Sequence, residues 1–145
     1  MYDTDIAALK VGSVATCDLT LTEEDVISFA RLSQDTNPLH IDPIAAREFG
    51  FSRPVAHGLL TLGGISRLIG TELPGPGALW VSQEVQFLTP VLVGDQLNAR
   101  VEVMKVSKAA GIVVLRTEVL NRNSNARALV GTAKVKVLRS GRTAI

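Results

Sequence analysis

The segment Gly58-Leu-Leu-Thr-Leu-Gly-Gly-Ile-Ser-Arg-Leu-Ile-Gly-Thr-Glu-Leu73 is apolar on almost every side of a helical wheel. Between positions 58 and 70 its only charged residue is Arg67. A helix that is hydrophobic on all sides belongs in a protein interior. Gly63 and Gly64 lower the helix propensity, but they allow another backbone to approach closely, as a surrounding sheet would require. The segment therefore predicts a buried central helix.

The chain after this helix predicts a run of strands. A sharp break at Pro74-Gly-Pro-Gly77 is followed by alternating apolar residues and turn signals. The predicted strands cover 80–88, 96–106, 111–121 and 128–138. In the second of them Leu97, Ala99, Val101 and Val103 would face one way. One buried helix followed by antiparallel strands indicates the α+β class.

The chain before the central helix predicts a strand and two further helices. Alternation over 14–19 favours a first strand. Thr22 is predicted to cap the next helix, because three acidic residues follow it in the first turn. Asp42-Pro43 predicts the start of a short helix that continues through Phe49 and ends at Gly50.

Length and composition predict one globular domain over 1–145. The 145 residues are 46% hydrophobic and 20% charged, which is ordinary for such a domain. A formal net charge of +1 without a basic run argues against nucleic acid as a partner. The single Cys17 and two histidines lack the spacing of a zinc site, so no metal is expected. Four C-terminal cations form either a solvated strand face or a contact to coenzyme phosphates: Lys134, Lys136, Arg139 and Arg142.

Targeting signals are not evident. The N-terminal residues lack the basic and apolar regions of a signal peptide. The apolar run near Leu59 is too short and too interrupted to span a bilayer. We therefore expect no membrane association and a cytoplasmic location.

Three polar residues lie close together around a proline: Asp35, Asn37 and His40. Pro38 is expected to prevent a helix here and to hold Asn37 extended, so that the segment forms a turn. A turn brings Asp35 and His40 to one point, where such a pair can hold a water molecule and move its protons. Taken alone, an Asp-x-Asn-Pro segment is more often a plain turn, in which the carboxylate accepts backbone N–H groups.

Two motifs together resemble a known family. The first comprises Ser33, Asp35, Asn37, Pro38 and His40, and the second comprises Arg53, Pro54, His57 and Gly58. This pattern is similar to that of the MaoC-like, hydratase-2 group, the (R)-specific enoyl-CoA hydratases. The similarity continues through 59–70 and 87–95, so it covers most of the chain. One departure is Gln34, where many relatives carry glycine.

The resemblance implies a hot-dog fold, an antiparallel sheet wrapped around the central helix. It implies hydration of a trans-2-enoyl thioester to the (R)-3-hydroxyacyl product, with Asp35 and His40 exchanging protons with one water. Gly58, at the predicted helix start, would donate its N–H to the thioester oxygen. Asn37 would orient the loop or the water, because an amide does not titrate, and His57 would brace the loop.

The substrate is expected to be an acyl-CoA. Because coenzyme A is part of that substrate, no separate cofactor is expected. Leu62, Ser66 and Ile69 follow Gly58 at helical spacing and are predicted to line the acyl pocket for short to medium chains. For Ser66, contact with the water or thioester is an equal alternative. A homodimer or larger assembly is expected, because a hot-dog sheet leaves a free edge.

Two other functions remain open at this point. A hot-dog thioesterase would share the fold, but positions 58–70 lack the acidic residue that it usually carries on the central helix. A subunit of a 3-hydroxyacyl-carrier-protein dehydratase is the second alternative, and a non-catalytic subunit would not need both Asp35 and His40.

Overall fold

The computed structural model describes residues 4–139, and Arg142 lies outside this range. Ten elements follow one another along the chain. They are β1 (Val14–Thr20), α1 (Glu23–Ser33), α2 (Pro38–Ile41), α3 (Pro43–Glu48), α4 (Gly58–Thr61), α5 (Gly63–Thr71), β2 (Ala78–Phe87), β3 (Gln96–Ser107), β4 (Ile112–Asn121) and β5 (Ala126–Val137). All five predicted strands are present within two residues of their expected ends.

The strands form one antiparallel sheet in the order β1-β3-β4-β5-β2. Its concave face packs on α5, where Ile65 and Leu68 have no exposed surface. The predicted inward-facing residues of β3 are all completely buried: Leu97, Ala99, Val101 and Val103. The α+β class and a sheet wrapped around a central helix are therefore confirmed.

The central helix differs from the prediction in two ways. It is broken at Leu62 into α4 and α5, and only one of its faces is buried. Leu59 is 66% exposed, so the prediction of a helix enclosed on all sides was wrong. The reason is that five strands curl around one side of the helix and leave the other side uncovered. Gly64 does allow close approach, since a Cβ there would lie 2.8 Å from the Cβ of Ala99, whereas Gly63 has open space around it.

The prediction that Pro38 prevents a helix was also wrong. Pro38 is the first residue of α2, a position where a missing N–H costs nothing. Asn37 is extended, as predicted for the residue before proline, and its side chain accepts the N–H of Leu39 at 3.1 Å. His40 therefore lies on a short helix. Asp42 caps α3 as expected, and that helix ends at Glu48, one residue early.

Helix α1 has the cap that the sequence predicts. The Thr22 hydroxyl accepts the N–H of Asp25, and the Asp25 carboxylate accepts the N–H and hydroxyl of Thr22. These hydrogen bonds lower the pKa of Asp25 from its ordinary value. The helix ends at Ser33 and is followed by the cap residue Gln34, whose φ of 62° lies in the left-handed region that favours glycine. Within residues 4–139, no helix has both the length and the apolarity needed to cross a bilayer.

Candidate active site

Asp35 and His40 converge at the end of α1 and the start of α2. Nε2 of His40 lies 3.9 Å from Oδ2 of Asp35. Nδ1 of His40 lies 2.6 Å from the carbonyl oxygen of Val55, and because a carbonyl only accepts, Nδ1 carries the hydrogen. In the neutral ring Nε2 then presents its lone pair to the carboxylate. A gap of 3.9 Å is too long for a direct hydrogen bond but suits a water molecule bonded to both atoms.

The two groups differ in exposure. The Asp35 side chain is 51% exposed and that of His40 is 13% exposed. Oδ1 of Asp35 accepts the N–H of Asn37 at 3.3 Å, which leaves Oδ2 for a water or substrate. The pair therefore has one member open to solvent and one held in place by the loop that carries Val55.

His57 joins the two catalytic candidates. It is 2% exposed, and its ring stacks on His40 with centroids 3.9 Å apart and an interplanar angle of 30°. Its Nε2 lies 3.0 Å from the backbone oxygen of Asp35 and therefore donates to it. Phe29 packs edge-on against the other side of the ring. Within the described chain, Nδ1 of His57 is buried without a partner. The ring thus fixes the backbone at Asp35 and the plane of His40, in keeping with the bracing role inferred from the sequence.

Gly58 begins α4 beside this cluster. The first N–H groups of a helix have no acceptor inside the helix, and here no side chain caps them either. A cleft of about 260 Å³ opens here between His40, Gly58 and the segment after β2 that includes Pro90. A Cβ at Gly58 would lie 3.1 Å from the Phe87 ring, so a larger residue here would crowd this ring at the edge of the cleft. The cleft is bordered mainly by apolar groups, as an acyl or pantetheine chain would require.

The three residues predicted to line the acyl pocket lie along the helix beyond this cleft. Leu62 and Ile69 are buried in the core, at 9% and 2% exposure. Ser66 is exposed, on the side of α5 that the sheet does not cover. None of the three borders the 260 Å³ cleft. Their contact with substrate stays a prediction.

A buried polar network that the sequence analysis missed supports the second motif. Asp95 is 4% exposed and accepts hydrogen bonds from Arg53, from Asn121 and from the N–H of Leu92. Arg53 also donates to the carbonyl of Val93. The network joins the loop before His57 to the loop after β2. The local sequence around Asp95 gives no sign of these partners, because Arg53 and Asn121 lie 42 and 26 positions away along the chain.

Within residues 4–139, the side chains of Asp35, His40 and His57 form the group of donor atoms that could hold a metal ion. One atom each from Asp35, His40 and His57 lie within 4.8 Å of one another. Nε2 of His57 could bind a metal only by giving up its hydrogen bond to the backbone oxygen of Asp35. The observed hydrogen bonds instead leave Asp35 and His40 arranged to hold a water molecule and to transfer its protons.

Comparison with known proteins identifies the family. Residues 9–124 match the family described as MaoC like domain. An (R)-specific enoyl-CoA hydratase of Aeromonas caviae is 38% identical over 90% of this chain and 96% of its own length, and its Rhodospirillum rubrum counterpart is 41% identical over 75% and 76%. The solved A. caviae (R)-hydratase superposes with a TM-score of 0.86 over 90% of this chain and 98% of that one. An R-hydratase from Pseudomonas aeruginosa also gives 0.86, at 30% identity over 99% and 95%. The chain belongs to the MaoC-like family, and its fold is the hot-dog fold of these hydratases.

Proposed function

We propose that this protein is an (R)-specific enoyl-CoA hydratase, which adds water to a trans-2-enoyl-CoA and catalyses the reverse dehydration. The observation that carries the proposal is the 3.9 Å gap between Oδ2 of Asp35 and Nε2 of His40, whose other ring nitrogen lies against the carbonyl oxygen of Val55. The family match and the named relatives support the same activity.

The mechanism follows from that gap. A water molecule held by Asp35 and His40 attacks C3 of the enoyl chain as one of its protons passes to the pair. The C2–C3 double bond becomes single and the electron pair moves to the thioester oxygen. The pair then returns a proton to C2. Because both groups lie on one side of the substrate, the addition is syn. The configuration at C3 depends on which face of the double bond meets the water, and the (R)-specific relatives support the (R)-3-hydroxyacyl product. Proton transfers of this kind contribute about 10²–10⁴ in rate.

The negative charge that forms on the thioester oxygen must be stabilised by a hydrogen-bond donor. Gly58 provides a backbone N–H at the start of α4, on the border of the cleft that also contains His40. Loss of one such donor costs about 10²–10³ in kcat. Asn37 acts indirectly, because its side-chain oxygen caps α2 and thereby positions His40. The proposed reaction requires no separate cofactor.

The proposal includes a homodimer built on β2. Of the two edge strands in the described sheet, β2 exposes a row of large apolar side chains, each about half exposed: Leu79, Val81 and Phe87, with Leu88 next along the chain. Such a row marks an interaction surface, and an unpaired edge accepts another strand. A two-fold pairing of β2 with a second copy would extend the sheet and place the uncovered faces of α4 and α5 beside each other.

Light scattering tests the dimer. The wild-type protein should give about twice the chain mass of 15.4 kDa at micromolar concentration. Val81→Glu should shift the mass towards one chain, whereas Val14→Glu, at a similarly exposed site on the other edge strand, should not. A single-chain mass for the wild type would contradict the dimer.

The activity is tested with crotonyl-CoA. Loss of the enoyl-thioester absorbance, with formation of (R)-3-hydroxybutyryl-CoA identified by chiral chromatography, is the expected result. Release of free coenzyme A thiol without hydration would show a thioesterase instead. A strong preference for crotonyl-acyl carrier protein would favour the dehydratase alternative. Substrates of four to twelve carbons would test the expected preference for short to medium chains. A cytoplasmic location stays a prediction that cell fractionation tests.

A further inference from the structure

The backbone of Val55 holds the proposed catalytic imidazole in position. Its carbonyl oxygen lies 2.6 Å from Nδ1 of His40 and accepts the hydrogen of that nitrogen. Its N–H donates to the carbonyl of Leu39 at 3.1 Å, in the same short helix that carries the histidine. This helix, α2, has four residues and none of them is buried, so its own packing does little to place it. The position of His40 therefore depends on where Val55 lies.

Val55 lies in a short two-stranded ribbon formed by residues 54–56 and 91–93. It makes an isolated antiparallel bridge with Leu92. Two backbone hydrogen bonds of 2.8 and 2.9 Å join the two strands of the ribbon on either side of this bridge. A pair of strands this short has little stability of its own in water. The ribbon must therefore be held in place by other parts of the protein.

The buried carboxylate of Asp95 anchors this ribbon to the sheet. Its Oδ2 accepts the N–H of Leu92, the residue opposite Val55, at 3.0 Å. The same oxygen accepts the side-chain amide of Asn121, the last residue of β4, at 2.7 Å. Its Oδ1 accepts a hydrogen bond of 2.7 Å from Arg53, which directly precedes the other strand of the ribbon. One carboxylate thus joins both strands of the ribbon to the end of β4.

These bonds require a carboxylate rather than an amide of the same shape. Asp95 is 4% exposed, and each of its oxygens accepts at least one hydrogen bond. In the variant Asp95→Asn, the NH2 group would face a donor in either orientation of the amide. A buried ion pair is weak evidence for added stability, because the loss of hydration offsets the attraction. Its directional bonds, however, are well suited to fixing the position of a loop.

We infer that Asp95 is a positioning residue for catalysis by His40. Its carboxylate fixes the ribbon, the ribbon fixes the carbonyl of Val55, and that carbonyl keeps the hydrogen of the neutral His40 ring on Nδ1. Nε2 is then the atom that takes a proton from the water beside Asp35. The tautomer of a histidine is set in this way by the hydrogen bond that its other nitrogen makes. The effect on rate rests on the proposed hydratase function, whereas the effect on the tautomer needs no substrate.

Nuclear magnetic resonance tests the positioning directly. The chain contains two histidines, so their imidazole nitrogens in ¹⁵N-labelled protein can be assigned with the variant His40→Gln as the reference. At alkaline pH the wild type should carry the hydrogen of His40 on Nδ1. Asp95→Asn should raise the share of the Nε2–H form, because the ribbon loses part of its anchor. An unchanged tautomer in folded Asp95→Asn would overturn the inference, whether or not the protein is a hydratase.

Steady-state kinetics measure the consequence for the reaction. Asp95→Asn should lower kcat for crotonyl-CoA about 10–100-fold with KM nearly unchanged, the range found when the partner that orients a metal-binding histidine is removed. If Asp95 acts through His40, adding Asp95→Asn to His40→Gln should lower kcat little further. Losses that multiply would overturn the route through His40. Leu115→Ala is the control, because it removes completely buried volume from β4 and should lower stability while kcat stays close to the wild-type value.

Arg53 provides a second way to weaken the anchor. Its side chain is 46% exposed, and its guanidinium donates to both Asp95 and the carbonyl of Val93. Arg53→Ala should shift the tautomer and lower kcat in the same direction as Asp95→Asn. Arg53→Lys keeps the charge without the planar fork, so it should restore part of the loss. A wild-type tautomer and kcat in Arg53→Ala would overturn the inference even if Asp95→Asn fails to fold.

Discussion

The centre of the sheet is stabilised by different interactions from the segment between Asp35 and Gly58, which we call the catalytic corner after its proposed role. In β3 and β4, most of the inward-facing side chains are apolar and completely buried, such as Val101 and Leu115. The corner from Asp35 to Gly58 depends instead on single hydrogen bonds, one imidazole stack and helix caps, and the Asp35 side chain is half exposed. Burial of apolar area stabilises the sheet cooperatively, whereas the corner gains little free energy from any one contact. Changes in the sheet should therefore reduce stability, and changes in the corner should reduce activity.

The largest expected effect separates the two regions most clearly. Asp35→Asn and His40→Gln should each lower kcat/KM for crotonyl-CoA by about 10²–10⁴, because each removes a proton-transfer group. The midpoint of thermal unfolding should change little, since both substitutions leave a hydrogen-bonding side chain in place and no single contact of the corner contributes much free energy. Near-wild-type turnover in either purified variant would remove that residue from the mechanism.

The matching change in the sheet is Leu115→Ala. Leu115 is completely buried, so its truncation should destabilise the protein by about 2–5 kcal/mol through lost transfer energy and a cavity. At a temperature where the variant is folded, its kcat should remain close to the wild-type value. Chemical denaturation and steady-state kinetics on the same sample measure both quantities. A large loss of kcat in fully folded protein would show that the two regions are not separable.

Ile69→Ala changes a residue of α5, the helix that lies between the sheet and the catalytic corner. Ile69 is predicted to form the floor of the acyl pocket, and its truncation should shift relative kcat/KM towards longer enoyl-CoA chains by at most about one to two orders of magnitude. Some stability should also be lost, because Ile69 is 2% exposed. The profile is measured with substrates of four to twelve carbons. An unchanged profile would place the floor elsewhere.

Gln34→Gly should stabilise the junction between α1 and the catalytic corner by up to about 1 kcal/mol. Gln34 has a φ of 62°, which costs a residue with a Cβ but not glycine. Part of the gain is offset by the greater freedom of glycine in the unfolded chain and by loss of the hydrogen bond to Arg31. Thermal unfolding measures the effect, and a clear loss of stability would show that the bond to Arg31 outweighs the backbone strain.

The smallest expected effect is at the α1 cap. The hydroxyl and N–H of Thr22 lower the pKa of Asp25 below its ordinary value of 3.8 on folding. The ionised carboxylate therefore stabilises the fold above that value, and the contribution is lost as pH falls through the lowered pKa. Asp25→Asn should cost about 0.5 kcal/mol at pH 7, at the small end for a cap because the site is exposed. The difference in unfolding free energy should shrink towards pH 2, and a constant difference would rule out the charge as its cause.

The sequence predicted the sheet well because its information is local. Alternation and turn residues mark each strand, and burial follows the same alternation, as in Leu97 to Val103 of β3. The central helix was harder to predict, because an apolar pattern does not show that the sheet covers only one side and leaves Leu59 and Ser66 exposed. Local chemistry indicated the caps at Thr22 and Asp42 correctly.

The catalytic corner was predicted from residue chemistry and family resemblance rather than from periodicity. His40 and Gly58 border one cleft, and Asp35 lies 3.9 Å from His40, so the two motifs do meet in the folded chain. Two features could not be predicted from the local sequence pattern. Pro38 begins a helix, because its ring is compatible with the first helical position. The stack of His57 on His40 and the bonds of Asp95 depend on loops that only the folded chain brings together.

The most direct test of the account is a double-mutant cycle on kcat/KM for crotonyl-CoA with Asp35→Asn, His40→Gln and the combined variant. If both residues act on one water, the combined variant should be little worse than the poorer single variant, so that the two losses are strongly non-additive. Losses that simply multiply would mean that the residues act independently, and that result would contradict the shared-water mechanism.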